Sequence, residues 1–216
     1  MAEDLTAGSA EGWVEVRDEP RHRRRFEDGF IRMYDVLVAP GDTTLYHRHT
    51  EDTLYVSIND ATVRDQQWGR EDTRTGDAPA GLCLCRPHRT KPLIHQVTNV
   101  GTEPMRMIGA EIKAAPALRA DTALEAPHHA LTLERDRVRV YELALEPGAS
   151  TGAIEYGFAA YTVVLSVATM AVAQTGCGAR SAVHAPGDVW WQPEGFRGSI
   201  TNIGEEPLRA LVAEWR

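Results

Sequence analysis

The chain has 216 residues and a net charge of −8 at pH 7, because 31 Asp and Glu residues outnumber 23 Lys and Arg residues. A composition that is 43% hydrophobic and 25% charged is typical of a globular protein. It excludes disordered, collagen-like and disulfide-stapled classes. The acidic balance also disfavours binding to a phosphate backbone or an anionic bilayer, so we expect neither nucleic acid nor membrane as a partner.

The cysteine content and the N-terminus predict a cytoplasmic location. Three cysteines, Cys83, Cys85 and Cys177, are too few and odd in number for a disulfide framework. The segment 1–10 has no apolar run that would make it a secretory signal. The uncharged stretch 157–179 is long enough to cross a bilayer as a helix. Its Thr, Val and Ala content and its turn-like end favour two strands instead.

The sequence contains an internal repeat. The segment from Phe26 to Gly41 matches the segment from Leu133 to Gly148 at a constant offset of 107 residues. Near the ends of the two halves, 99–106 matches 202–209 at an offset of 103, so the second copy is shortened between the two blocks. The repeat predicts an N-terminal domain over 13–113, an Ala/Pro-rich linker over 114–130 and a second domain over 131–216.

Each repeat has the pattern of an all-β unit. Short β-branched runs at 31–38, 53–58 and 162–167 are separated by turn sequences such as Pro40-Gly41 and Pro147-Gly148. No stretch shows a helical period. We therefore predict an all-β fold of two tandem antiparallel barrels or sandwiches.

The strongest chemical signal is a pair of histidines in the first repeat. A turn at Gly41 leads into a short strand with His47 and His49, and the spacing of two places both imidazoles on one face. Imidazole is a common ligand of iron, zinc, nickel and copper. His95, which lies four residues before Asn99, is the candidate for a third ligand.

These residues resemble the cupin superfamily. Its first motif runs Gly, five residues, His-x-His and a later Glu, and Gly41, His47 and His49 match it. Its second motif ends in His, three residues and Asn, and His95 with Asn99 match that end. The family's glutamate is missing, because Thr53 or Leu54 occupies its position.

The second repeat resembles the same motifs without their ligands. Gly187, the Pro193-Glu194-Gly195 turn and Asn202 match the second motif, but Gly198 stands where the histidine belongs. Ile154 and Tyr156 stand where the offset of 107 places the first two histidines. The resemblance therefore implies a bicupin, two tandem jelly-roll barrels with one metal site, in the N-terminal barrel.

A three-histidine cupin site implies a non-haem iron dioxygenase with Fe(II) as its metal, acting on a small organic substrate and O2. Zn, Ni or Mn acting as a Lewis acid in an isomerase, lyase or cyclase is an alternative, and so is a non-catalytic ligand binder. Glu51 shares strand parity with the two histidines and is a candidate fourth ligand. Thr53, Tyr55 and Ser57 share that parity and are candidates for lining the cavity; Tyr55 is equally interpretable as a core tyrosine. Either a monomer or a homodimer is compatible with two barrels in one chain.

Three other features have simpler interpretations. Cys83 and Cys85 with His88 suggest a second metal or redox site, but two thiols packed in a strand account for the pattern better. The basic run 21–25, which includes His22, is flanked by acids and is interpreted as a solvated, self-paired surface. His128 and His129 fall in the linker and are expected to be exposed.

Overall fold

The computed structural model describes residues 12–216, and the N-terminal segment discussed above lies outside that range. The described residues divide into two compact units between Lys113 and Ala114. Their regular structure is almost entirely β, with a single 3-10 turn at Val16–Asp18. Within residues 12–216, no helix is both long enough and apolar enough to span a membrane.

The first unit is a barrel of two facing five-stranded sheets. Its strands are β1 (Val14–Glu15), β2 (His22–Glu27), β3 (Ile31–Val38), β4 (His47–His49), β5 (Asp52–Ser57), β6 (Ala61–Gln67), β7 (Thr73–Ala78), β8 (Cys83–Arg86), β9 (Leu93–Asn99) and β10 (Met105–Ile112). One sheet has the order β1-β4-β9-β6-β7, and the other has the order β2-β3-β10-β5-β8.

The second unit repeats this topology. Its strands are β11 (His129–Arg135), β12 (Val138–Leu145), β13 (Ile154–Glu155), β14 (Ala160–Val164), β15 (Ala168–Gln174), β16 (Gly178–His184), β17 (Val189–Gln192), β18 (Arg197–Asn202) and β19 (Leu208–Trp215). Its sheets have the orders β13-β18-β15-β16 and β11-β12-β19-β14-β17, which correspond to those of the first unit except that β1 has no counterpart. The predicted all-β fold is confirmed, and 157–179 forms β14 and β15 as expected.

The repeated motifs explain why both halves fold alike. In each unit the amide of an asparagine side chain donates to two backbone carbonyls. Asn99 donates to the carbonyls of Val38 and Glu103. Asn202 donates to those of Leu145 and Glu206. Both asparagines are fully buried. Burial of an amide is favourable only when its hydrogen bonds are satisfied, so these side chains fix the turn that leads into the last strand of each barrel.

The stretch 114–128 between the two sets of strands contains no strand of its own. Its apolar residues Ala120, Ala123, Leu124 and Ala126 pack against the core of the second barrel. The backbone N–H of Leu124 also donates to the hydroxyl of Tyr141 at 3.0 Å. These contacts are the reason that 114–128 belongs to the second compact unit.

Candidate metal centre

Antiparallel pairing of β4 with β9 brings three of the predicted residues together. His47 is the direct cross-strand partner of His95, and His49 lies two residues further along β4. The ring centroid of His95 lies 4.7 Å from that of His47 and 5.2 Å from that of His49. His47 and His49 are 1% and 2% exposed.

A fourth histidine, which the sequence interpretation missed, completes the cluster. His22 lies on β2 in the opposite sheet, and one ring nitrogen from each of His22, His47 and His49 lies within 4.8 Å of the others. Its side chain is only 7% exposed. Assigning the whole run 21–25 to a solvated surface is therefore wrong for His22, because β2 turns this side chain into the barrel while its arginine neighbours stay outside.

The Nδ1 atom of each of the four rings has a polar partner. Nδ1 of His22 donates to Oε2 of Glu19 at 2.8 Å, and Nδ1 of His47 donates to the Leu45 carbonyl at 2.8 Å. Nδ1 of His95 donates to the carboxylate of Asp65. Nδ1 of His49 lies 3.2 Å from the hydroxyl of Tyr55. The partners of His22, His47 and His95 only accept hydrogen bonds, so Nδ1 of each of these three rings carries a proton and Nε2 is the atom available to a metal.

Tyr55 connects His49 to a further histidine. The tyrosine hydroxyl lies 3.1 Å from Nε2 of His88, whose ring stacks on His49 with centroids 4.9 Å apart. The hydroxyl of Tyr55 thus lies within hydrogen-bond distance of both His49 and His88.

Burial favours the neutral form of His47, His49 and His88. Desolvation lowers the pKa of His47 and of His49 well below the usual value, and the other histidines lower both further. Desolvation also lowers the pKa of His88 to about 4. Neutral imidazole is the form that binds a metal ion.

The resulting donor set fits a transition metal. Nε2 of His49 and Nε2 of His95 approach each other to 3.2 Å. Two ligands at about 2.1 Å from one metal are about 3.0–3.4 Å apart for octahedral or tetrahedral angles, and the observed separation falls in that range.

The remaining predicted site residues lie elsewhere. Oε2 of Glu51 accepts from Nε of Arg89 at 2.6 Å, and Glu51 does not line the cavity that contains the histidines. Oγ1 of Thr53 donates to the Glu51 carbonyl at 2.8 Å, and Ser57 is buried away from the cavity. Cys83 and Cys85 lie on β8 and form no disulfide.

The histidines open into a cavity of about 630 Å³. Its lining includes His22, His47, His49, His88, His95 and Tyr55. A volume of this size is typical of pockets that enclose a small organic ligand. The cluster is therefore a set of buried donors at the wall of a ligand-sized space.

The second barrel has no comparable centre among its described residues. Ile154 pairs with Gly198 in the register in which His47 pairs with His95. Tyr156, at the position of His49, lies with its hydroxyl 2.7 Å from Nε2 of His129, which aligns with His22. His129 is thus half-buried, and the expectation that it would be exposed is wrong, whereas His128 is exposed.

No protein-family model and no curated protein matches the sequence, but solved structures do. AerE from Microcystis aeruginosa superimposes with a TM-score of 0.56 at 9% identity, over 92% of this chain and 98% of that one. An oxalate decarboxylase gives a TM-score of 0.58 at 15% identity, over 90% and 75% of the two chains. A structure of Bacillus subtilis oxalate decarboxylase, described with Mn(II) centres, gives 0.55 at 16% identity, over 93% and 76%.

Likeness at such low identity establishes the fold. The chain has the bicupin fold, two cupin jelly-roll barrels in tandem, as its sequence motifs predicted. A histidine cluster in the first barrel is compatible with metal binding. Fold similarity alone does not carry an activity from one protein to another.

Proposed function

We propose that the chain is a metal-dependent enzyme that acts on a small organic substrate. One divalent transition metal would be held by Nε2 atoms of His47, His49 and His95, with His22 as a fourth ligand. The observation that carries the proposal is the cluster of histidine rings, in which the Nε2 atoms of His49 and His95 lie 3.2 Å apart, a separation that fits two ligands of one metal ion. The partners of the four Nδ1 atoms orient the rings for such an ion.

The favoured reaction class is oxidation by a non-haem iron dioxygenase. All four candidate ligands are imidazoles, which bind a metal in their uncharged form, so an Fe(II) ion here would keep its dipositive charge and supply both attraction for an anionic substrate and the capacity to activate dioxygen. Tyr55 and His88 contact His49 and orient its ring, and the hydroxyl of Tyr55 lies 3.2 Å from its Nδ1, close enough to exchange a proton with it. The buried wall of the cavity excludes water from the reacting groups.

A second candidate is a lyase, isomerase or cyclase that uses Mn, Zn or Ni as a Lewis acid. The fold likeness to oxalate decarboxylase, with its Mn(II) centres, favours this candidate. The two differ in one measurable respect, because only the dioxygenase consumes oxygen when substrate is added. In either case the second barrel is proposed to serve stability, since Ile154, Tyr156 and Gly198 stand at the positions of the histidines.

Element-resolved mass spectrometry of untagged protein, expressed with Fe, Mn, Ni and Zn in the medium, tests the proposal. We expect about one equivalent of metal in the wild type, and its loss in His49→Ala and His95→Ala. His184→Ala is the matched control, because this histidine belongs to the second barrel and pairs with Asp188. Iron followed by substrate-dependent oxygen uptake supports the dioxygenase, and stoichiometric manganese or zinc without oxygen uptake supports the Lewis-acid enzyme. Absence of metal from the wild type refutes both and leaves a ligand-binding protein.

A further inference from the structure

The cavity in front of the histidines has a strongly positive rim. Arg74, Arg86 and Lys91 line it, and all three are exposed. Asp65 is the single carboxylate in the lining, and it is already hydrogen-bonded to His95. The rim is therefore cationic in a chain whose net charge is −8.

These three cations differ from the other basic residues around the barrel. Arg21, Arg32, Arg89 and Arg106 each form an ion pair with a carboxylate. Among the described residues, no hydrogen bond or ion pair from the side chains of Arg74, Arg86 or Lys91 is present. Cations left without partners around a concave site attract anions, because low-dielectric walls concentrate their field.

The opposite end of the cavity is apolar. Val36 and Met105 belong to the buried core, and Val63, Val97 and Met107 pack against that core and also line the cavity. Exposed cations mark the mouth, and these buried and half-buried side chains mark the floor. A ligand that satisfies both ends has an anionic group and an apolar body.

The size of the space limits the ligand further. About 630 Å³ is far more than a two-carbon dicarboxylate such as oxalate needs, and a methionine-lined floor gives such a ligand nothing to contact. We propose that the site binds an organic carboxylate with an aryl or branched alkyl body, whose charged group faces Arg74, Arg86 and Lys91. Because the cavity is the one that contains the histidine cluster, this inference rests on the proposed function.

Three probes separate the contributions of charge and apolar body. 3-Phenylpropanoate has both, 3-phenylpropan-1-ol has the same body without the charge, and propanoate has the charge without the ring. Isothermal titration calorimetry of the full chain should give an affinity for 3-phenylpropanoate at least about tenfold above that for either other probe. Raising the salt from about 0.02 M to about 0.5 M should weaken binding of the carboxylate and leave the alcohol unaffected.

Neutralising the rim tests the residues themselves. The triple variant Arg74→Gln/Arg86→Gln/Lys91→Gln should lose about tenfold in affinity for 3-phenylpropanoate, since each exposed ion pair changes an equilibrium by up to about fivefold. The matched control, Arg23→Gln/Arg64→Gln/Arg70→Gln, removes the same charge from exposed positions outside the cavity. It should change the affinity for 3-phenylpropanoate less than about twofold.

Metal content measured on the same samples separates the two proposals. The carboxylate assignment alone is overturned if a protein that holds metal binds all three probes with equal affinity. It is also overturned if the two triple variants of such a protein lose equal affinity for 3-phenylpropanoate. Selective binding of 3-phenylpropanoate by a protein that holds no metal overturns the proposed metal enzyme and supports the carboxylate assignment. If the rim variant does not fold, the salt dependence of wild-type binding tests the carboxylate assignment. Weaker binding of 3-phenylpropanoate at high salt supports it, and unchanged binding overturns it.

Discussion

Replacement of Glu19 by glutamine should damage both the first barrel and its histidine cluster. The Glu19 side chain is 0% exposed and accepts four hydrogen bonds. Oε2 accepts from the Arg21 backbone at 2.7 Å and from His22 Nδ1 at 2.8 Å. Oε1 accepts from the Leu45 backbone and from Arg21 Nη1, both at 3.2 Å. One carboxylate thus ties β2 to the segment that leads into β4.

The magnitude follows from the count of donors. In Glu19→Gln one oxygen becomes an NH2 group that faces two N–H donors, so two charge-assisted hydrogen bonds are lost and two buried donors are left unsatisfied. Each such bond contributes about 1.5–3 kcal/mol, and loss of one partner of a buried ionic group costs about 3–5 kcal/mol. We expect the free energy of unfolding to fall by about 3–5 kcal/mol. Metal affinity should fall by about 10- to 100-fold, because His22 loses its orienting partner.

The assay is urea-induced unfolding in the presence of a chelator, because bound metal adds stability of its own. Metal affinity is measured separately by competition with a chromophoric chelator. Glu155→Gln is the control, since it removes a carboxylate from an exposed ion pair with Arg197, which is worth at most about 1 kcal/mol. A Glu19→Gln protein that loses less than about 1 kcal/mol and keeps its metal affinity would show that this reasoning is wrong.

Two further outcomes are expected. A Cβ added at Gly198 would lie 1.9 Å from a backbone oxygen of β15, so Gly198→Ala should lower the free energy of unfolding by about 3 kcal/mol or more, measured by thermal or denaturant unfolding. The control Gly157→Ala, whose added Cβ has nothing within 4 Å, should lower it by less than about 1 kcal/mol. Equal losses in the two variants would contradict the close approach at Gly198. Hydrogen bonds from Arg32 and Lys113 lower the pKa of Glu27 from 4.5 to about 2, so its stabilising contribution is present above about pH 4.5 and is lost as the pH falls toward 2. Glu27→Gln should flatten the acid limb of the stability profile over that range, and an unchanged limb would refute this assignment.

Much of the fold was predictable because the chain carries it twice. The offset of 107 links Pro40-Gly41 to Pro147-Gly148, and turn residues of this kind fix strand ends whatever packs around them. The pairing of His47 with His49 was also predictable from local sequence, because residues two apart on a strand point to the same face of the sheet. The partner strand carrying His95 followed from the family motif and not from local geometry.

The errors came from features that a local pattern does not encode. Strand parity was extended from His49 to Glu51, but β4 ends at His49 and the chain bends before β5 begins at Asp52, so the two residues do not share a face. His22 was missed because its neighbours are charged, and charge around a residue says little about which way a barrel strand turns it. The offset of 107 aligns His22 with His129, and that match was the available signal.

Comparison of the two barrels separates the scaffold from the chemistry. Each has a buried glutamate held by an arginine and a tyrosine: Glu111 with Arg32 and Tyr34, and Glu214 with Arg139 and Tyr141. Since this network is present in both barrels, and only one barrel has the histidine cluster among the described residues, the network serves the fold. The positions that differ, His47 against Ile154, His49 against Tyr156 and His95 against Gly198, are those of the proposed metal ligands. In the second barrel the close approach of β15 at Gly198 leaves no room for an imidazole, so restoring histidines there would demand a different backbone as well as different side chains.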